Sequence, residues 1–350
     1  MDDVCDKAAA PVARHAVETL PVIDVSPFVE GGSAASRASV AAEIRHACID
    51  IGFFYIAGHG IRAAELDEAL DRGRRFFAGP LADKMRVRAE SGARALGYYP
   101  LTLDGTPDEY GEVADVKERF SASREILAGE PERGSYSAGR SKWPDPAAFP
   151  GFADFFKSHI EKRTRLTRVL ARAFALSLDL PESHFDPAFV HLGCVLMFNC
   201  YPKRDAAAQE GRWNFSPHTD YGAFTILLQD HLGGLQVRNA AGNWIDAPPV
   251  PGTFVVNIGD MFAMWTNDLY VSTLHRVMNR TDQQRLSIAF FTYPHGRTEI
   301  RCLETCAGPA NPPRYDPVLA EDYNSRLVGA AHRTGRPGIS ERTARRLGEA

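Results

Sequence analysis

The sequence predicts a mainly β protein: an antiparallel double-sheet barrel of the jelly-roll kind, with flanking helices and an α/β N-terminal region. Three observations predict it. From Gly193 to Tyr293 the chain runs through short segments rich in Val, Ile, Phe and Thr (CVLMFNCY, AFTILLQ, LQV, NWIDA, TFVVNI, HRVMN, RLSIAFFTY), separated by Gly, Asn, Asp and Pro. Ahead of them, Phe155, Phe156, His159, Ile160, Leu166, Val169, Leu170 and Phe174 form an apolar stripe at helical spacing, which predicts one long helix from Phe152. Upstream of that helix, strand and helix signals alternate.

Each element follows in order. Residues 1–18 read as a mobile leader, and Leu20 to Val25 is the first strand signal. Val40, Ile44, Ala47, Cys48 and Ile51 recur at helical spacing, and Gly52 closes that helix. GFFYIAGHGI, from Gly52 to Ile61, is a short aromatic strand ending in a turn, and Glu65 to Phe77 returns to helix. Tyr98 to Pro150 is rich in Gly, Pro, Ser and charge without a long periodic segment, so it reads as loops and short elements that could wall a pocket. The expected organisation is a leader at 1–18, an α/β region at 19–150, the backing helix and barrel at 151–325, and a polar tail or lid at 326–350.

Composition bounds the function. With 44% hydrophobic and 24% charged residues, the 350-residue chain can bury a sizeable core. A net charge of -4 supplies no basic excess for nucleic acid or an anionic membrane, so the expected partner is a small molecule or another protein. No window approaches the roughly 18 apolar residues of a spanning helix, and the acidic N-terminus lacks an apolar signal core. A cytoplasmic location is the expectation; the oligomeric state is not legible. The six cysteines show no C-x-x-C pairing and read as packed or bystander thiols.

The chemistry gathers at SPHTDYGAFTILLQD, where His218-Thr219-Asp220 precedes a buried strand signal. H-x-D on an extended strand puts imidazole and carboxylate on one face. His275, opening HRVMN, is the candidate third donor from another strand. Two neutral imidazoles and one carboxylate leave a divalent first-row metal three open positions, the non-haem Fe(II) arrangement for binding a co-substrate together with O2. Ten positions on, Arg285 and Ser287 share a strand face and form a clamp for a carboxylate held away from the metal. A dicarboxylate that chelates at its 2-oxo-acid end and anchors at the other fits both, which points to 2-oxoglutarate. The second H-x-D, His184-Phe185-Asp186, lies between prolines and reads as turn chemistry.

On these residues, together with LPVIDVSPF and GFFYIAGHGI near the N-terminus, the chain resembles the isopenicillin N synthase-like family of Fe(II)/2-oxoglutarate-dependent oxygenases from about residue 20 to 325. The resemblance implies a double-stranded β-helix core, a metal triad at His218, Asp220 and His275, and a clamp at Arg285 and Ser287. It puts Asn199 and Tyr201 of N-C-Y-P near 2-oxoglutarate, with Cys200 pointing away. It also implies hydroxylation, desaturation or cyclisation of a small organic molecule in secondary metabolism, with release of succinate and CO2. Asp220 occupies the position that halogenation would need vacant. HLGGLQV and NIGD fit the same family, their glycines read as barrel turns and His231 and Asp260 as loop stabilisers. A 2-oxoglutarate-independent oxidase of the same family, or a non-redox metal-binding jelly roll, remains an alternative on sequence. Phe198, Phe215, Phe291, Tyr293, Tyr98 and Tyr99 are candidate pocket walls. Lys117, Arg119 and Arg124 read as a solvated face, the alternative being contact with an acidic substrate group.

Overall fold

In the computed structural model, which describes residues 14–89, 96–101, 115–125, 141–203 and 214–334, the chain begins with β1 (Val22–Asp24), the single turn α1 (Ser26–Val29) and α2 (Ala34–Asp50). The Ser33 hydroxyl caps α2 by accepting the Ser36 N–H. Gly52 then takes a φ of +67°, and a Cβ there would strike the Val271 carbonyl. β2 (Phe53–Ala57), α3 (Ala63–Ala78) and α4 (Leu81–Met85) follow. Two strands, β3 (Gly97–Tyr99) and β4 (Glu118–Ala122), come from the stretch expected to be loops, whose residues 102–114 and 126–140 lie outside the described residues. The backing helix is α5 (Phe152–Ser177), and the short α6 (Asp186–Phe189) leads into the strand-rich part. That part contains β5 (Gly193–Tyr201), β6 (Phe215–His218), β7 (Phe224–Gln229), β8 (Leu235–Arg238), β9 (Trp244–Asp246) and β10 (Phe254–Ile258). α7 (Asp260–Trp265), β11 (His275–Val277), β12 (Arg285–Tyr293), the pair β13 (Glu299–Ile300) and β14 (Val318–Leu319), and α8 (Ala320–Thr334) complete it.

The major sheet has the order β1-β2-β10-β7-β12-β5-β4-β3, and the minor sheet β6-β11-β8-β9 faces it. The N-terminal region is therefore part of the barrel wall. β1 and β2 extend one edge of the major sheet, while β3 and β4 extend the other. The residue-150 boundary separates stretches of sequence that share this sheet.

Alternation gives the major sheet two distinct faces. The outer face packs on α5, where the Phe156 ring lies 4.6 Å from Phe198 and Phe174 lies 5.1 Å from Phe224. Arg163 of α5 is fully buried beneath the sheet and donates to the carbonyls of Ile226 and Ile288 at 3.3 and 3.1 Å, and burial pushes its pKa down to about 9. The inner face looks toward the minor sheet.

The described part of the N-terminus makes contacts with the rest of the chain. Residues 14–18 are tied to the body: Arg14 donates to the Asp268 carbonyl at 2.9 Å, and the His15 N–H to Asp50 at 3.0 Å. Residues 1–13 of the leader and 335–350 of the tail lie outside the described residues. Among the described residues, no helix is long and apolar enough to cross a membrane.

Candidate active site

β6 and β11 pair antiparallel with His218 directly opposite His275, so both imidazoles leave the minor sheet on one side, with ring centroids 4.1 Å apart. Asp220 reaches them by a different route from the one the H-x-D spacing suggested. β6 ends at His218, and Asp220 lies in the turn after it, so strand alternation does not aim its carboxylate. Backbone anchoring does. The Asp260 N–H donates to the Asp220 carbonyl at 2.7 Å, and the Met261 N–H to Gly222 at 3.1 Å. Gly259 makes this approach possible, because a Cβ there would lie 2.3 Å from the Gly222 carbonyl oxygen. Close backbone contact, more than barrel turning, explains the glycine of NIGD.

Hydrogen bonds then set which atoms face inward. Asp220 Oδ2 accepts from the Thr225 hydroxyl at 2.5 Å and from Asn257 Nδ2 at 2.7 Å. Oδ1 is left facing the histidines, 3.9 Å from His218 Nε2 and 3.8 Å from His275 Nε2. The Nδ1 atoms lie 2.8 Å from the Ser216 carbonyl and 3.1 Å from the Thr273 carbonyl. A carbonyl only accepts, so each Nδ1 carries a proton, and Nε2 is the ring nitrogen left facing inward. Burial holds the His218 pKa well below the ordinary histidine value, and the neighbouring His275 and Lys117 add to that. The three residues are buried, with ligand atoms all within 4.8 Å of one another. Two neutral imidazole nitrogens and one carboxylate oxygen form a donor set suited to a divalent first-row cation.

The same cavity holds the residues predicted to form the clamp. Arg285 and Ser287 open β12 on its inner face, and their register partners on β5 are Tyr201 and Asn199. All four line the cavity together with the triad. Arg285 is fully buried, and its Nε donates to the Gly233 carbonyl while Nη2 lies 3.3 Å from Gln229 Oε1. Its Nη1 is buried without a partner, and no carboxylate pairs with it among the described residues. An unneutralised buried guanidinium is costly, so this geometry suits an anionic ligand. Burial raises the Tyr201 phenol pKa, with Arg285 and Ser287 acting in the opposite direction.

The predicted pocket walls divide. Phe215 and Phe291 line the cavity. Phe198 and Tyr98 do not. Phe198 packs between Phe156 and Phe120, and Tyr98 packs on Phe76 with its hydroxyl 2.6 Å from Glu118. Both side chains belong to the outer face, because Tyr98, Phe120 and Phe198 are register partners across three strands. Tyr293 shares the face of Phe291 but ends its strand over Gly222. Tyr99 sits farther along the inner face, under the Arg119 guanidinium at 3.9 Å. Cys200 joins the outer-face core, as alternation required.

Thr225 and Asn257 are the contributors that sequence reasoning missed. Both are polar residues within apolar strand signals, AFTILLQ and TFVVNI. A buried polar group needs a partner, and that signal was available.

Comparison with known proteins now decides the family. Residues 193–294 match the 2OG-Fe(II) oxygenase superfamily, and residues 20–146 match the non-haem dioxygenase in morphine synthesis N-terminal region. The 2-oxoglutarate-Fe(II) type oxidoreductase ppzC of Metarhizium majus is 38% identical, over 89% of this chain and 87% of its own length. The chain belongs to the 2OG-Fe(II) oxygenase superfamily. Homoarginine-6-hydroxylase 2-ODD-C23 of Glycine max is 32% identical, with 84% of this chain and 91% of that protein aligned. Among solved structures, a full-length Neurospora crassa protein in complex with alpha-KG and thymine superposes with a TM-score of 0.77 at 27% identity, covering 89% of this chain and 97% of that one. This oxygenase is thus an Fe(II)- and 2-oxoglutarate-dependent oxidoreductase with a jelly-roll core, and O2 is its co-substrate. Neither the oxidase alternative nor the non-redox alternative gains support from these relatives.

Proposed function

We propose that His218, Asp220 and His275 hold the Fe(II), and that Arg285 with Ser287 holds the distal carboxylate of 2-oxoglutarate. The observation that carries this reading is Arg285 itself, a fully buried cation whose unpartnered Nη1 shares a cavity with the convergent triad. Asn199 and Tyr201 flank the co-substrate from β5. Bound Fe(II) supplies O2 activation coupled to decarboxylation of 2-oxoglutarate to succinate and CO2.

The chain's own residues supply the rest. Thr225 and Asn257 occupy Asp220 Oδ2, which leaves Oδ1 as the donor. The Ser216 and Thr273 carbonyls keep the Nδ1 protons and orient the rings. Apolar walls from Phe53, Leu235, Val277 and Phe291 exclude bulk water from the cavity. We place the substrate among small organic molecules of secondary metabolism, oxidised by hydroxylation, desaturation or cyclisation.

Calorimetry on the Fe(II)-loaded protein under anaerobic conditions tests the two-ended grip. Glutarate keeps the distal carboxylate but cannot chelate, and pyruvate chelates but cannot reach the clamp. 2-Oxoglutarate should bind at least about tenfold tighter than either, because its second contact is intramolecular. In Asp220→Ala its affinity should fall to that of glutarate. Equal affinity for pyruvate and 2-oxoglutarate would remove Arg285 from the site.

A further inference from the structure

The inner face of the major sheet continues past the clamp. Ser287 on β12 is the register partner of Asn199 on β5, and Asn199 is the partner of Arg119 on β4. Arg119 therefore lies on the same face as the clamp, two strand spacings away, which is roughly 10 Å. Its guanidinium is stacked 3.9 Å from the Tyr99 ring centroid, and it forms no ion pair with the described residues. A planar cation held flat on an aromatic ring keeps its N–H edges available and is pre-organised for a carboxylate.

A second cation stands beside it. Lys117 precedes β4, and its side chain is only 7% exposed. Its Nζ sits 2.9 Å from the centroid of Phe215, and that ring stacks on His218 at 3.8 Å. Lys117 is thus one aromatic ring away from a triad residue. Asp115 pairs with it at 3.2 Å and also accepts the Ser216 N–H at 2.9 Å, which pins β6 to this wall. Expecting this stretch to be an ordinary solvated face is wrong for Lys117, and Arg124 is also buried. Between Arg119 and the clamp, Asn199 is 2% exposed and its Oδ1 has no hydrogen-bond partner, so a polar acceptor also faces the cavity.

We propose that the substrate oxidised by this enzyme is a small organic acid whose carboxylate is held by Arg119. The proposal rests on the assignment of 2-oxoglutarate to Arg285 and Ser287, which leaves the Arg119 wall to the other ligand. Arg119 would thereby fix which end of the molecule faces the metal.

The test uses the full-length Fe(II)-loaded enzyme with 2-oxoglutarate and a panel of small aromatic and aliphatic monocarboxylates, each paired with its neutral carboxamide. Succinate release above the substrate-free rate is the readout. At least one acid should stimulate release about tenfold more than its amide, and Arg119→Gln should erase that preference through KM more than kcat. Arg119→Lys should restore part of it. The proposal is overturned if no acid outperforms its amide, or if the preference persists in Arg119→Gln. The 2-oxoglutarate calorimetry described above separates this failure from failure of the clamp assignment. Normal 2-oxoglutarate affinity with no acid preference condemns only the substrate inference.

Discussion

β5 and β12 carry different work on their two faces. On the outer face Leu196, Phe198 and Cys200 pair across the strands with Phe290, Ile288 and Leu286, and all are buried in the hydrophobic core against the helices. On the inner face, one residue out of step, Asn199 and Tyr201 pair with Ser287 and Arg285 around the cavity. The outer-face side chains of these two strands are apolar and are buried by packing. The inner face leaves Asn199 Oδ1 and Arg285 Nη1 buried and unsatisfied. Unsatisfied polar groups are expensive in a folded protein, and placing them together in one cavity marks where a ligand completes the structure.

If the faces are this separate, truncation on the outer face should cost stability without touching the co-substrate. Phe198→Ala should lower unfolding free energy by about 3–5 kcal/mol in denaturant titration, while 2-oxoglutarate affinity of the folded protein stays at the wild-type value. A parallel loss of affinity would show that the faces are coupled. A smaller effect sharpens the inner side. Asn257→Ala should weaken Fe(II) binding by about 10–100-fold in a chelator competition, because Asp220 Oδ2 loses a donor and its carboxylate is free to rotate. Thr225→Ser should matter least. It keeps the hydroxyl that bonds Asp220 at 2.5 Å, so metal affinity should stay within about threefold of wild type, a shift below ~1 kcal/mol.

Much of this division was legible in the amino-acid sequence. Period-2 alternation put Arg285, Ser287 and Phe291 on one face and turned Cys200 away from it, and the structure has them so. His218, Asp220 and His275 stood out because the full set with Arg285 and Ser287 at those intervals is hard to get by accident, and the structure brings the three ligand atoms together. The geometry of that triad was not legible. Asp220 lies beyond the end of β6, and its aim depends on contacts with Asp260, Thr225 and Asn257, which are 5 to 40 residues from it in the chain. Phe198 and Tyr98 were misplaced for a related reason. An aromatic residue in a strand has an inner or outer orientation only once the neighbouring strands are known, and β3 and β4 carry too few residues to announce themselves. The burial of Lys117 likewise follows from β6 folding over it, a contact between segments about 100 residues apart.

The central claim is that one cavity grips 2-oxoglutarate at both ends, with the triad at one end and Arg285 at the other. An anaerobic titration of Fe(II)-loaded protein with 2-oxoglutarate tests it most directly, by following the visible charge-transfer band of a metal-chelated 2-oxo acid in wild type and in Arg285→Gln. The account predicts a saturable band in wild type, and in Arg285→Gln the same band reached only at roughly a hundredfold higher 2-oxoglutarate, the loss expected for one buried charge-assisted contact. An unshifted titration in Arg285→Gln, or no band in protein that retains its Fe(II), would contradict it.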